Sequence, residues 1–458
     1  MPDHDAIVIG TGQSGPALAR RLVAAGQTVA VIERKFFGGT CVNTGCTPTK
    51  TLVASAYAAY LARRAGEYGV TIGGPIRVDM QAVKARKDAV VAPSRRGVER
   101  SLKTLEGCTV YEGHARFVAN KKVAVNGSVL DADRIFINVG GRASIPAIPG
   151  LDQVPYFTNS SMMNVDFLPS HLIILGGSYI GLEFAQVYRR FGSEITVIEL
   201  APRLIAREDE DVSRAVAEFL REEGIDVRVD SKVVGIEKQG NAIAVKIESA
   251  GKISNVVGTH VLVAIGRRPN TDDLGLDKAA IATDPHGYIQ VDDQLRTNVP
   301  GIWAMGDCNG KGAFTHTSWN DFEIVAANLL DNDQRRVSDR ITAYALYTDP
   351  PLGRVGMTEA EVRKTRKPAL IATMAMEDVS RAFEKGETKG FMKILVDRDS
   401  KQILGASLLG LAGDEVMHCI LDVMYAKAPY TVMQRAMHVH PTVSEFIPTM
   451  LGDLKPLQ

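Results

Sequence analysis

Ala6-Ile7-Val8-Ile9-Gly10-Thr11-Gly12-Gln13-Ser14-Gly15 is the stretch whose reading decides the fold. Four apolar residues read as a buried strand that runs straight into a glycine-rich turn. A helix-like pattern follows, Pro16-Ala17-Leu18-Ala19-Arg20-Arg21-Leu22, and then a second apolar run, Thr28-Val29-Ala30-Val31-Ile32, which ends at Glu33. Strand, glycine turn, helix, strand and acid in this order describe a dinucleotide site. Gly10 permits the tight turn, Gly12 lets a pyrophosphate approach the backbone, and Gly15 lets helix and strand pack closely. The helix N-terminus favours phosphate charge, and Glu33 can bond ribose hydroxyls. The competing reading is a glycine-rich turn in some other α/β domain, which leaves the acid at the second strand end unexplained.

The unit recurs. His171-Leu172-Ile173-Ile174-Leu175 leads into Gly176-Gly177-Ser178-Tyr179-Ile180-Gly181-Leu182-Glu183, and the strand Glu194 to Ile198 ends at Glu199. Ser178 takes the place of the second glycine and is small enough to keep the approach open. Two such units in one chain imply two dinucleotides. Glu199 repels a 2′-phosphate and so favours NADH over NADPH, while Arg203 and Arg207 just beyond could accommodate that phosphate.

Between the units lies Gly38-Gly39-Thr40-Cys41-Val42-Asn43-Thr44-Gly45-Cys46-Thr47-Pro48-Thr49-Lys50. Two thiols at this spacing can close a small ring and store two electrons as a disulfide. A chain of 458 residues with only five cysteines is not a secreted disulfide scaffold, so the pair reads as catalytic rather than structural. An inert pair of thiols and a stray metal pair are the bland alternatives. The N-terminus is acidic, with no basic region ahead of its short apolar run, and no apolar stretch approaches the roughly 20 residues that span a bilayer. The expected compartment is a reducing cytoplasm. Lys plus Arg and Asp plus Glu balance at 53 each, so no global charge points to nucleic acid or an anionic membrane.

A length of 458 residues calls for two to four domains. Thr49 to Leu105 reads as a long helical region whose basic face, Lys84 to Arg100, is taken as solvated surface. Short strands follow from Thr109 to Val139 with an Asn126-Gly127 hairpin signal, and Val227 to Ile265 repeats that character. From about Arg340 the composition shifts to an α+β pattern. It has strands near Arg354, Leu370 and Phe391 to Leu409, then helices, one of them Asp414 to Met424. His418-Cys419 on that helix, with Cys108, Cys308 and the methionines at 417, 424, 433 and 437, reads as packing; no metal site is expected.

Taken in order, these motifs resemble the flavin-dependent pyridine nucleotide–disulfide oxidoreductases, which include dihydrolipoamide dehydrogenase, glutathione reductase and mercuric reductase. The likeness covers nearly the whole chain. It rests on the first glycine turn with Glu33, the Cys41–Cys46 motif, the second glycine turn with Glu199, Gly266-Arg267-Arg268-Pro269-Asn270, Gly306-Asp307, and His440-Pro441-Thr442-Val443-Ser444-Glu445. It implies an α/β fold with two Rossmann-like domains and a C-terminal α+β dimerisation domain. Residues 1–150 would begin the FAD domain and carry the redox pair. Residues 151–270 would bind NAD(P), 271–337 would complete the FAD domain, and 338–458 would dimerise. By the same likeness Asp307 holds the FAD ribityl chain, and Gly113, Ala115 and Gly141 line its adenine and pyrophosphate. Gly39, Thr40, Gly266, Gly306, Ala313, Phe314 and Thr315 join the cofactor-binding set. Lys50 and Glu183 would form an ion pair beside the flavin.

The resemblance also assigns roles. Cys46 faces the flavin and Cys41 attacks the substrate. His440, oriented by Glu445, takes the proton from Cys41, serving the pair of the other subunit in a homodimer. The bland readings are a packing histidine and a surface lysine. Gly312-Ala313-Phe314-Thr315-His316-Thr317 looks more like the mercuric-reductase-like group, which includes reactive-chlorine-resistance reductases, than like dihydrolipoamide dehydrogenase. That group's mercuric members carry a further C-terminal cysteine pair, and no cysteine follows Cys419 here. Thr44 and Thr47 stand where aliphatic residues are usual; their hydroxyls are expected to stabilise the thiolates and make the pair easier to reduce. The expected activity is NAD(P)H-driven reduction of a disulfide or soft electrophile through Cys41–Cys46. Dihydrolipoamide dehydrogenase, a metal-ion reductase and a flavin-linked redox sensor are the alternatives.

Overall fold

In the computed structural model, which describes residues 3–457, the strand His4–Ile9 lies at the centre of a seven-stranded sheet. It pairs in parallel with Val29–Glu33 on one side and Ser128–Ile137 on the other, with Ala6 opposite Val29 and Arg134. The period-two alternation of a strand splits the core between two faces. Ala6 and Val8 pack with Leu18, Leu22, Leu102 and Ile324 of the helical layer. Ile7 and Ile9 pack with Phe117, Val123, Leu274 and Ile289 on the opposite face. A strand buried on both faces carries no polar residue, which is why Ala6 to Ile9 read as a continuous apolar run.

The strand Ile302–Ala304 pairs in parallel with Ser128–Ile137, so the chain returns to its first sheet after the second unit. That unit is a four-stranded parallel sheet ordered Asp226–Arg228, Glu194–Ile198, His171–Leu175, His260–Val263, with a three-stranded antiparallel sheet beside it. A six-stranded antiparallel sheet between Ala343 and Pro456 forms the C-terminal layer. Asn126 and Gly127 both take positive φ, 48° and 82°, and join Lys122–Val125 to Ser128–Ile137 as an antiparallel hairpin.

The helices that position the site are α1 (Ser14–Ala24), α2 (Gly39–Thr44), α3 (Cys46–Arg63), α4 (Met80–Lys103), α5 (Asn159–Met162), α6 (Tyr179–Phe191), α7 (Glu210–Glu222) and α8 (Thr315–Leu330). The long helical region expected from Thr49 is therefore two helices, and the first begins at Cys46. Gly69, Gly73, Gly74 and Pro75 break it, since a glycine-rich stretch with proline cannot hold a helix ladder. The basic face of α4 is not simply solvated. Lys87 is buried and paired with Asp88, Arg86 donates to the Thr51 carbonyl at 2.9 Å, and Arg95 donates to Asn43 Oδ1 at 2.6 Å. Arginines of α4 thus brace the stretch between the two cysteines and the helix that follows it. Among the described residues no helix is long and apolar enough to cross a membrane.

Candidate active site

The two glycine turns are built alike. A Cβ on Gly10 would lie 2.3 Å from the Asn138 carbonyl oxygen, and one on Gly176 would lie 2.5 Å from that of Ala264. A Cβ on Gly15 or Gly181 would lie 2.2 or 2.1 Å from the carbonyl oxygen of Gly10 or Gly176. Each helix therefore leaves its strand at backbone contact. Gly39 closes over the first turn, where a Cβ would come within 2.8 Å of Gly12 Cα. These are cradles that any side chain would fill, and they fit a dinucleotide phosphate. Ser178 is exposed ahead of α6.

Both strand-end acids point back at their turns. Glu33 Oε2 accepts from the Thr11 N–H at 3.0 Å and its hydroxyl at 2.6 Å, while Oε1 accepts from the Lys35 N–H at 2.8 Å. Glu199 accepts from the N–H groups of Gly177 at 2.6 Å and Ala201 at 2.7 Å. Arg203, one of two candidates for a 2′-phosphate, folds inward and donates to the carbonyls of Ala206 and Glu208 at 3.2 and 3.3 Å. Arg207 instead lines a cavity of about 650 Å³ with Gly141, Arg267, Arg268, Asp307, Lys311 and Ala313.

Asp307 follows Gly306, whose positive φ of 71° turns the chain and whose N–H donates to buried Asp321 at 2.7 Å. Burial pushes the Asp307 carboxyl above its ordinary value, against the pull of Arg267, whose Nη2 stands 3.4 Å away. A half-desolvated acceptor with one long contact fits the hydroxyls of a ribityl chain. Gly141 lies on a short strand paired with Arg267–Pro269. Gly266 has φ of 143° at the start of that crossover. The Gly113 N–H donates to the Glu33 carbonyl at 2.8 Å, and the Ala115 methyl is buried in the core.

Cys41 lies in the short helix α2 and Cys46 opens α3, with Gly45 forming the corner between them. Asn43 holds that corner, its amide donating to the Phe37 and Gly39 carbonyls at 2.9 and 2.8 Å. Asn159 of α5 donates to the Thr44 carbonyl at 3.1 Å. Both thiols are free, and they are inequivalent. The neighbouring Cys41 thiol, the Thr315 hydroxyl and Lys50 together pull Cys46 down to about 6 against the opposing effect of burial. Cys46 and burial push Cys41 up. Thr315 Oγ1 stands 3.2 Å from Cys46 Sγ at the first turn of α8. The expectation that Thr44 and Thr47 would supply this hydroxyl does not hold. Thr44 and Thr47 give their carbonyls to Asn159 and Thr51, and a residue 269 positions along the chain supplies the bond.

Lys50, one turn along α3 from Cys46, pairs with both oxygens of Glu183 at 2.8 and 2.7 Å. Glu183 is buried in α6 and also accepts from the Tyr347 N–H at 3.1 Å, while the Lys50 ammonium stands 4.4 Å from the Tyr347 ring centroid. Tyr347 gave no signal in the sequence. Phe314 stacks on His316 and Tyr344 at 5.3 and 5.6 Å and meets Tyr179 edge-on.

His440 Nδ1 lies 3.0 and 3.1 Å from the two oxygens of Glu445, which also accepts from the Thr442 N–H at 3.2 Å. The His440 side chain is 72% exposed, and no hydrogen bond joins it to Cys41 or Cys46 among the described residues. Its surroundings are apolar and open, with Met437 at 99% and Val439 at 76% exposure.

A cysteine pair at a helix corner thus stands beside a half-buried Lys–Glu pair, between two glycine turns. Residues 4–321 match the pyridine nucleotide-disulphide oxidoreductase domain, and residues 342–451 match the dimerisation domain that accompanies it. The chain belongs to the pyridine nucleotide-disulphide oxidoreductases. It is 34% identical to the probable pyridine nucleotide-disulfide oxidoreductase RclA of Escherichia coli, over 99% of this chain and 100% of that one. It is 32% identical to a mercuric reductase of Streptomyces lividans, over 96% and 94%. A solved Cu(II) complex of the HOCl-induced flavoprotein disulfide reductase RclA superposes with a TM-score of 0.90, covering 98% of this chain and 100% of the other at 34% identity. As a member of this family the chain is an oxidoreductase, and its α/β fold of parallel Rossmann-like sheets with a C-terminal dimerisation domain is the family's.

Proposed function

We propose that the protein is an FAD enzyme that takes electrons from NADH and stores them on Cys41 and Cys46 for transfer to a disulfide or a soft metal ion. The observation that carries this reading is the unequal setting of the two sulfurs: Cys46 opens α3 with the Thr315 hydroxyl 3.2 Å from its sulfur and Lys50 one turn along, surroundings that with the Cys41 thiol favour its thiolate, while Cys41 is pushed up. FAD, bound at the first glycine unit and held by Glu33 and Asp307, supplies the two-electron relay between nicotinamide and disulfide. When the disulfide takes up two electrons and one proton, the S–S bond breaks, Cys41 carries the proton and Cys46 is left as the thiolate beside Lys50 and Thr315. Cys41 then needs a base before it can attack. His440, oriented by Glu445, fits that role from a partner subunit, since its other ring nitrogen is free on an exposed apolar face. The proton taken from Cys41 passes to the thiol that leaves the acceptor. Cys46 then displaces the acceptor's remaining sulfur from Cys41 and restores the disulfide.

NADH is favoured because Glu199 stands at the ribose end of the second unit while Arg203 is turned into its own loop. Cu(II) enters as an acceptor on the likeness to the RclA complex. Two Cu(II) ions would each take one electron, leaving two Cu(I), a disulfide and one proton released from Cys41. Free thiols fit a reducing cytoplasm. The test is anaerobic titration of the flavin-loaded protein with one equivalent of NADH. A long-wavelength thiolate–flavin band, lost in Cys46→Ser, is expected; simple bleaching of the flavin without that band tells against the reading. Turnover with lipoamide, glutathione disulfide, Hg(II) and Cu(II) then ranks the acceptors.

A further inference from the structure

The segment from Glu199 to Asp209 forms the outer wall of the second glycine turn. Ile205 donates its N–H to the Gly177 carbonyl at 2.9 Å, Glu199 accepts the Gly177 N–H at 2.6 Å, and Leu204 packs where a Gly177 side chain would stand. The far end of this wall is held from outside its own domain as well as from within it. Arg354, 1% exposed on the strand Leu352–Gly356 of the C-terminal sheet, donates to Glu208 Oε2 from Nε at 3.0 Å and from Nη2 at 2.6 Å. Nη2 also reaches Asp209 at 3.0 Å. Lys393, on another strand of that sheet, stands 3.0 Å from Asp209 and 2.8 Å from Asp211. The second oxygen of Glu208 accepts from the Tyr179 hydroxyl at 3.0 Å, and Tyr179 is the first residue of α6, within the glycine turn. Burial and Glu208 push the Tyr179 hydroxyl up, so it stays a donor.

We propose that Arg354 is a positioning residue for the second nucleotide site: through Glu208 and Tyr179 the C-terminal domain sets the shape in which the Gly176–Gly181 turn receives its nicotinamide cofactor. Arg354 touches no atom of that turn. It fixes Glu208, which holds the Tyr179 ring edge-on to Phe314 and Tyr344 at 6.3 and 5.6 Å. Phe314 precedes Thr315, the residue bonded to Cys46, so the same aromatic wall meets the cysteine pair. A planar, always-charged fork suits this task, because one guanidinium satisfies two buried carboxylates at fixed angles. A domain contact of purely mechanical value would need no link to the turn.

The inference rests on the nicotinamide reading given above. It is tested on flavin-loaded protein with Arg354→Met, Arg354→Lys, Glu208→Gln and Tyr179→Phe. Calorimetric titration with NAD⁺ reads affinity, a thermal scan reads stability, and dithionite-reduced protein mixed with acceptor reads the thiol half of the reaction. Arg354→Met is expected to weaken NAD⁺ binding about tenfold, with flavin content and the dithionite-driven half-reaction at wild-type level. Arg354→Lys is expected to restore part of the affinity. Glu208→Gln and Tyr179→Phe should weaken binding in the same direction, and Arg354→Met with Tyr179→Phe should be no weaker than Arg354→Met alone. A lowered thermal midpoint with unchanged NAD⁺ affinity would overturn the proposal. If Arg354→Met fails to fold, wild-type affinity in Glu208→Gln and Tyr179→Phe overturns it equally. Wild-type protein that binds neither NAD⁺ nor NADP⁺ tells against the nicotinamide reading itself.

Discussion

Cys46 and Cys41 share one proton, and their neighbours decide which sulfur keeps it. Lys50 lies one helical turn from Cys46, and the Thr315 hydroxyl points at its sulfur, so charge collects there. Titrating the thiolate absorbance of the reduced protein should give a midpoint near 6 that Cys46→Ser abolishes. Above that pH the thiolate is present, and it is lost as pH falls through it. Thr315→Val removes one donor to a charged acceptor, so the midpoint should rise by about one unit. An unmoved midpoint in Thr315→Val would place the stabilisation on the Cys41 thiol and Lys50. Cysteine spacing revealed the pair, and Lys50 four residues on was legible as part of it. Thr315 was legible only as a motif residue, because nothing in local sequence says that the first turn of α8 meets the first turn of α3.

At the scale of elements, each glycine unit is a strand and a helix in backbone contact, and the contact tolerates no Cβ. Gly15→Ala would drive a methyl to 2.2 Å from the Gly10 carbonyl, and Gly181→Ala would do the same at 2.1 Å from Gly176. The two variants should separate the two cofactors. Gly15→Ala is expected to lose flavin, whereas Gly181→Ala keeps flavin and loses NADH reduction, read from the visible spectrum before and after NADH. The α3–α6 contact is held by Lys50–Glu183, with Arg190 over the Tyr60 ring at 3.7 Å. Glu183→Ala leaves the half-buried Lys50 ammonium without its carboxylate and should destabilise the protein by about 2 kcal/mol. Its thermal midpoint should fall clearly below that of Glu183→Gln, which preserves shape and one acceptor. The strands and glycine turns were readable because buried parallel strands and tight turns accept few residue types. The division of the Thr49–Leu105 region into two helices was readable only in part: its glycines stood in plain view, but the inward bonds of Arg86 and Arg95 depend on where α4 packs.

For the whole molecule, the exposed His440–Glu445 pair is the feature that a single chain leaves unfinished. Its geometry is set within five residues, yet its target lies elsewhere. Mixing Cys41→Ser and His440→Ala subunits yields heterodimers in which one site of two has both intact residues. With random pairing, activity should recover to about a quarter of wild type. Heterodimers as inactive as their parents would mean that His440 does not cross between subunits.

The sequence by itself determined the family, the two strand–glycine-turn–helix units, the close Cys41–Cys46 pair and the His440–Glu445 pair. Each of these is a short-range pattern, in which a turn, a ring of two thiols or a ribose-binding acid constrains residues close together in the chain. Tertiary structure alone decided that Thr315 rather than Thr47 bonds Cys46, that Arg203 bonds the carbonyls of its own loop, and that Arg354 of the C-terminal domain holds the wall of the second glycine turn. Those bonds join residues 269, 5 and 146 positions apart, made by side chains whose direction depends on how whole elements pack. A hydroxyl or guanidinium declares its partner only when burial removes water as the alternative.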